Sequence, residues 1–170
     1  MGQQEIINVF FENPSKEFHI RGIARALKLP KTTVSYQVNA LVKKGIIVKQ
    51  KGGVFPAFRA DNEGDLYRFE KQQGFLRRII GSGVLDHIEQ HVHPKCIILF
   101  GSFAKAESDS KSDIDLFVQA SDVRLDVSSY EKKLGHPINI LFEPEIGRLS
   151  PELLNNIING VRLRGFVRVK

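Results

Sequence analysis

Apolar positions fall at helical spacing through the first third of the chain and then switch to continuous runs. Ile6, Ile7, Val9, Phe10 and Phe11 give residues 3–12 a broad apolar face, and Asn13-Pro14 stops that helix. Ile23, Ala24 and Leu27 share one side of a second helix over residues 21–28, ended by Leu29-Pro30. Lys31-Thr32-Thr33 then offers a hydroxyl N-cap. Val34, Val38, Leu41 and Val42, at i, i+4, i+7 and i+8, form the inner stripe of a third helix over residues 33–44, which Gly45 stops. Ile46-Ile47-Val48 reads as a strand, Lys49 to Gly53 as a turn, and Val54 to Arg59 as the return strand, kept to an edge by Pro56.

Beyond residue 61 the pattern changes. Leu66, Phe69, Phe75, Leu76, Ile79 and Ile80 give a further helix a buried face, and Gly81-Ser82-Gly83 breaks it. Val84, Leu85, Ile88 and Val92 make the next helix, closed by His93-Pro94. Cys96 to Phe100 is a continuous apolar run, the mark of a strand buried on both faces. Gly101-Ser102 turns the chain, and Phe103 to Glu107 begins a helix. Strands follow at Asp113–Val118 and Ile138–Phe142, with helices expected over 122–134 and 151–160 and a closing strand from Leu163 to Val169. The expected division is residues 1–61, a linking helix over 62–82, and a second domain over 83–170. The fold class is α+β, a helical unit with a hairpin followed by a small mixed sheet covered by helices.

Charge adds one thing to this picture. The chain carries a net charge of +6, but residues 1–60 hold 10 Lys/Arg against 3 Asp/Glu, a net of +7. A basic first domain is the electrostatic footprint of a polyanion. If Val34, Val38 and Leu41 face inward, then Lys31, Thr32, Thr33, Ser35, Tyr36, Gln37 and Asn39 lie on the outer and flanking surfaces. These donor-rich side chains suit base edges and phosphates in a major groove. Lys49, Lys51 and Arg59 on the hairpin would meet flanking backbone or minor groove. Lys43 and Lys44 serve either that surface or the helix macrodipole. The order of elements, carried by "FHIRGIARALKLPKTTVSYQVNALVKKGIIVKQ", resembles winged helix-turn-helix transcriptional regulators over residues 3–60. The partner this implies is double-stranded DNA; some small winged helices bind protein instead.

Several classes drop out. No run reaches the roughly 18–20 apolar residues of a membrane helix. The first residues lack the basic segment of a secretory signal, and Ile6 breaks a myristoylation motif, so a cytoplasmic protein is expected. Cys96 is the single cysteine, and its apolar neighbours make it a buried thiol. His87 and His91 stand one helical turn apart but lack the further ligands of a zinc site, so they read as a solvated face.

The chemistry concentrates in KCIILFGSF and the segment after it. A glycine at a strand-to-helix turn lets a phosphate approach the backbone, and the amides of Ser102 and Phe103 then point toward it. Ten residues on, Asp113 and Asp115 share one face of a strand with Ile114 on the other. Two such carboxylates repel unless compensated, and hard oxygen ligands suit Mg²⁺ or Mn²⁺. Strand, Gly-Ser, ten residues, Asp-x-Asp, strand resembles the minimal nucleotidyltransferases of the DNA-polymerase-β-like superfamily. "LFGSFAKAESDSKSDIDLFV" carries the likeness, and "LLNNIINGVRLRGFV" resembles the family's closing helix and tail.

That resemblance implies that Gly101 and Ser102 hold a triphosphate, ATP or another nucleotide. Lys105 stands where the family commonly has arginine, and Asp113 and Asp115 bind the metal as the catalytic pair. It also implies a third carboxylate on the later strand, where this chain has Asn139. An amide oxygen can ligate a metal but cannot take a proton from a hydroxyl. Glu143, on the same face, lies about 13 Å further along an extended strand. Three functions remain open: a regulator that binds or transfers a nucleoside monophosphate, a protein-adenylylating antitoxin that autoregulates its operon, and an inactive nucleotide-sensing or scaffold domain. A homodimer through the linking helix is a further expectation.

Overall fold

The computed structural model describes residues 2–50 and 55–167. The chain divides into two compact units, residues 1–71 and 72–170. In the first unit, helices α1 (Gln3–Glu12), α2 (Ile20–Leu27) and α3 (Lys31–Lys43) precede a hairpin of β1 (Ile47–Gln50) and β2 (Ala57–Ala60). Antiparallel pairing runs from Ile47 opposite Ala60 to Gln50 opposite Ala57. Phe18 adds a bridge to Phe58, with both N–H···O distances 2.8 Å. The core is the stripe the sequence pattern marks: Ile6, Phe10, Ile23, Val34, Val38 and Leu41, closed by Ile47 and Phe58.

Local chemistry differs from expectation at two places here. Pro30, not a threonine, precedes α3; the helix starts at Lys31, no side chain caps it, and Thr32 and Thr33 lie in its first turn. Pro30 enters the helix at φ −58 and ψ 136 without capping any first-turn N–H. Lys49 belongs to β1 rather than to a turn. The expected turn residues 51–53 and Val54 lie outside the described residues, as does Lys51 among the expected DNA contacts.

Helix α4 spans Asp65–Ser82. Its expected apolar face is only partly inward: Phe75 and Ile79 are buried, while Leu66, Phe69 and Ile80 are exposed. Tyr67 takes the inward place in the first turn, edge-on to Phe11 at 5.4 Å between ring centroids. Burial raises its phenol pKa well above the ordinary tyrosine range, helped by the negative charge of Glu12. Among the described residues the phenol oxygen has no hydrogen-bond partner.

In the second unit a four-stranded sheet runs β5-β4-β3-β6. Strands β3 (Cys96–Phe100), β4 (Ile114–Val118), β5 (Ile138–Phe142) and β6 (Val161–Gly165) are joined by α5 (Val84–Val92), α6 (Gly101–Ala104), α7 (Ser128–Leu134) and α8 (Pro151–Ile158). The β4–β5 pair is parallel and the other pairs antiparallel. One face packs Ile97, Leu99, Ile114, Leu116 and Val118 against Ile79, Leu85 and Ile88. The other buries Cys96, Ile98 and Phe117 with Ile157 of α8. Ser150 caps α8 by accepting the Leu153 N–H at 3.3 Å, with Pro151 at the first helical position.

Three boundaries shift from the sequence reading. Residues 122–127 are not helical, and α7 begins only at Ser128. The apolar residues that suggested an earlier start, Leu125 and Val127, pack on the core from an irregular segment. The helix expected from Phe103 is instead the single turn α6, starting at Gly101. The closing strand ends at Gly165, before the expected Val169, which lies outside the described residues.

Cys96 is fully buried in β3, its Sγ 3.5 Å from Gln119 Oε1, and burial pushes the thiol pKa up. A buried, protonated thiol is a poor nucleophile. Titration with a thiol-reactive disulfide dye is therefore expected to label Cys96 only after unfolding in guanidinium. Equal labelling rates for native and denatured chains would contradict this packing.

Candidate functional site

The central strand β4 decides the site. It pairs antiparallel to β3 with Asp115 opposite Phe100, and parallel to β5 with Asp115 opposite Asn139. The last residue of β3, the turn after it, the carboxylates and the amide are therefore fixed by backbone register. Gly101 occupies the turn at φ +69, and a Cβ there would run into the Asp115 carboxylate. Both the positive φ and the close approach require glycine.

Asp113 and Asp115 do share a face, and Asn139 joins them. The Asn139 Nδ2 donates to Asp113 Oδ2 and to Asp115 Oδ1, each at 3.3 Å. Asp113 and Asn139 are exposed and Asp115 is half-buried, so the cluster opens to solvent. Glu143 does not join it: its carboxylate accepts the Glu145 N–H at 2.9 Å, and its own N–H meets Val118 O at the far end of β4. Ser102 is half-buried in α6. Lys105 follows that turn with an exposed side chain, and it pairs with neither aspartate among the described residues.

Residues without a motif hold this arrangement. The ten-residue loop before Asp113 is closed by Asp109, which accepts the Lys111 N–H at 2.9 Å and the Ser112 hydroxyl at 3.2 Å. His136 is buried, its Nδ1 2.9 Å from Ser112 O and its ring edge-on to Phe103 at 4.9 Å. One imidazole thus touches both the residue before Asp113 and α6, the turn that carries Gly101 and Ser102. Glu131 Oε1 accepts the Ile138 N–H at 2.8 Å and fixes the start of β5. The sequence signal for His136 is only its place one residue before the Pro137 that opens the strand.

Two carboxylates and one amide form a hard-oxygen donor set once the amide turns about χ2 to present Oδ1. Such a set suits one Mg²⁺ or Mn²⁺ whose remaining positions go to water and phosphate oxygens. Among the described residues no group of three or more His, Cys, Asp or Glu gathers anywhere. His87 and His91 stack at 4.3 Å and hydrogen-bond to backbone carbonyls, as a helix surface would.

On α3, 100° per residue puts Thr32, Tyr36, Asn39 and Lys43 in one row opposite Val34, Val38 and Leu41. All four are exposed, Tyr36 by 74%. Lys43 therefore belongs with the outward row. Lys44 and Gln37 lie instead beside Gln3 and Gln4 of α1. Lys31 is exposed at the helix start, and Thr33 and Ser35 are half-buried on its flanks. In the hairpin, Lys49 shares a face with Phe58 and Arg59 shares the opposite face with Val48, so these two cations do not form one patch.

A three-helix unit with a wing, then a sheet presenting paired aspartates beside a Gly-Ser turn, defines the class: a winged helix joined to a nucleotidyltransferase-type domain. Two family models match in that order. Residues 4–48 match the model described as winged helix-turn-helix DNA-binding, and residues 83–143 the one described as polymerase beta, nucleotidyltransferase. The chain thus unites a winged helix-turn-helix domain with a polymerase β-type nucleotidyltransferase domain. No curated protein gives a match. Among the described residues, no helix is long and apolar enough to cross a membrane.

Gly101→Ala is expected to lower unfolding free energy by about 1–3 kcal/mol, the cost of a non-glycine residue at positive φ. Urea denaturation measures it, and an unchanged midpoint would show that the turn does not hold residue 101 at positive φ.

Proposed function

We propose that this protein is a DNA-binding regulator whose second domain binds a metal-complexed nucleoside triphosphate such as ATP. The observation that carries the nucleotide reading is the shared hydrogen bonding of Asp113, Asp115 and Asn139 beside the glycine turn. Gly101 brings the turn up against the Asp115 carboxylate, and Ser102 offers a hydroxyl and an amide to a phosphate beside it. A Mg²⁺ or Mn²⁺ held by Asp113 and Asp115 would offset their charge and that of the phosphates. Lys105 supplies a mobile positive charge at the edge.

Asn139 favours sensing over transfer. Nucleotidyl transfer needs an acceptor hydroxyl to lose its proton, and the neutral amide cannot receive it. Glu143, the acid just past the end of β5, is engaged elsewhere. A second reading, adenylylation of a partner protein, is favoured by the same Gly101–Asp115 juxtaposition. Asp113 or Asp115 would then have to take the proton.

Incubation with α-labelled ATP and Mg²⁺ separates the two readings. Wild type is expected to retain nucleotide without releasing pyrophosphate, Asp113→Ala/Asp115→Ala to lose retention, and Asn139→Asp to gain turnover. Pyrophosphate release by wild type at the rate of Asn139→Asp would establish the transferase. No retention by wild type would remove the nucleotide from the proposal altogether.

The first domain supports the DNA reading through its charge and its exposed row on α3. On a duplex selected from a random pool, Lys43→Gln is expected to weaken all sequences alike and reduce the salt slope by about one. Asn39→Ala should cost ~1–3 kcal/mol on the selected sequence only. Fluorescence anisotropy across salt concentrations measures both. Equal losses on selected and random duplexes for Asn39→Ala would mean that this row reads no bases.

A further inference from the structure

The winged-helix domain also holds a cavity of about 760 Å³ that the reading above does not use. Its volume falls within the roughly 300–1,000 Å³ of small-molecule sites. Val9, Phe18, Ile23 and Phe55 supply an apolar lining. Lys16, Arg21, Arg25 and Lys31 also line it, against the single acid Glu17. None of these four cations forms an ion pair with an acid among the described residues.

The aromatic and cationic groups are interleaved. The Arg21 guanidinium lies 5.8 Å from the centroid of the Phe55 ring, and Lys16 Nζ lies 5.4 Å from that of Phe18. Arg21 and Arg25 stand one turn apart on the same side of α2. Phe55 is 63% exposed, so its ring is open to a ligand beside the Arg21 guanidinium. His19 Nδ1 lies 3.0 Å from Pro56 O, which ties the base of the hairpin to this wall.

We propose that this cavity binds a small organic anion with a flat apolar body, such as an aromatic carboxylate. The carboxylate would sit among Arg21, Arg25 and Lys31, with the ring against Phe55 and Phe18. The charge balance selects an anion, and the apolar lining selects a body that bare phosphate lacks. A DNA backbone would satisfy the cations but leave the apolar wall uncovered. Lys31 begins α3, so an anion there also offsets charge at the start of the helix proposed to enter DNA. Occupancy is then expected to weaken DNA binding, and DNA to weaken occupancy by the same factor.

Isothermal titration of the full chain with 2-naphthoate, with the uncharged 2-naphthamide as control, tests this. Saturable one-to-one uptake of naphthoate is expected, at least ~10-fold tighter than naphthamide. Arg21→Gln/Arg25→Gln should erase that preference while leaving the thermal midpoint unchanged. Phe55→Ser, at an exposed position, should weaken both compounds. Absence of saturable naphthoate uptake by wild type overturns the proposal, as does equal uptake by Arg21→Gln/Arg25→Gln. If that double variant loses only DNA affinity, the basic rim is a phosphate-backbone contact and the small-anion site is rejected.

Discussion

The second domain is organised around the repulsion between two neighbouring carboxylates. Asp113 and Asp115 project from one face of the start of a central strand, where alternation forces them together. Two negative charges held on one face repel unless something positive or donating lies between. The Asn139 amide does this, donating to both. Its position follows from parallel β4–β5 register, and that register is fixed at its start by the Ile114 N–H donating to Pro137 O at 2.8 Å. The site is thus a product of sheet topology, and the buried runs Ile97–Leu99 and Leu116–Val118 hold it.

The same logic of one fixed face applies to α3. Burying Val34, Val38 and Leu41 leaves only one arc of the helix for contact with anything else. That arc holds a hydroxyl, a phenol, an amide and an ammonium at Thr32, Tyr36, Asn39 and Lys43. Such a row mixes hydrogen-bonding and charged groups, as base readout and backbone attraction together require. The excess positive charge of residues 1–60 lies on the same unit, while the second unit brings Asp113 and Asp115 together beside its inner strand.

Much of this was legible because it rests on period. Buried stripes at helical spacing place α1, α2, α3 and α5, and continuous apolar runs place β3 and β4. Gly101, Asp113 and Asp115 were legible because glycine and paired acids at strand ends are costly without a purpose, and Asn139 only because the resemblance implies a third carboxylate at its position. What stayed hidden depends on contacts distant in sequence. Leu66, Phe69 and Ile80 fit an apolar helix pattern, yet only tertiary packing decides which side of α4 is covered, and it chose Tyr67, Phe75 and Ile79. His136 has no periodic or motif signal; its role comes from lying between Ser112 and Phe103, 24 and 33 positions earlier in the chain. Arg21 and Arg25 were hidden for the opposite reason, since helical surfaces commonly carry arginine and only the cavity beside them gives them significance.

Asn139 changes what the carboxylate pair can be without changing its shape. A carboxylate in its place would put a third negative charge in the cluster and make the metal-free site markedly repulsive. The amide supplies two donors instead, so the aspartates have a partner whether or not a cation is bound. By turning about χ2 it can offer an oxygen to that cation without a change in its own charge. Asparagine therefore smooths the difference between loaded and empty forms, at the cost of the proton acceptor that transfer chemistry requires. On the sensing reading proposed above, a site whose aspartates keep a donor when empty is suited to reversible occupancy.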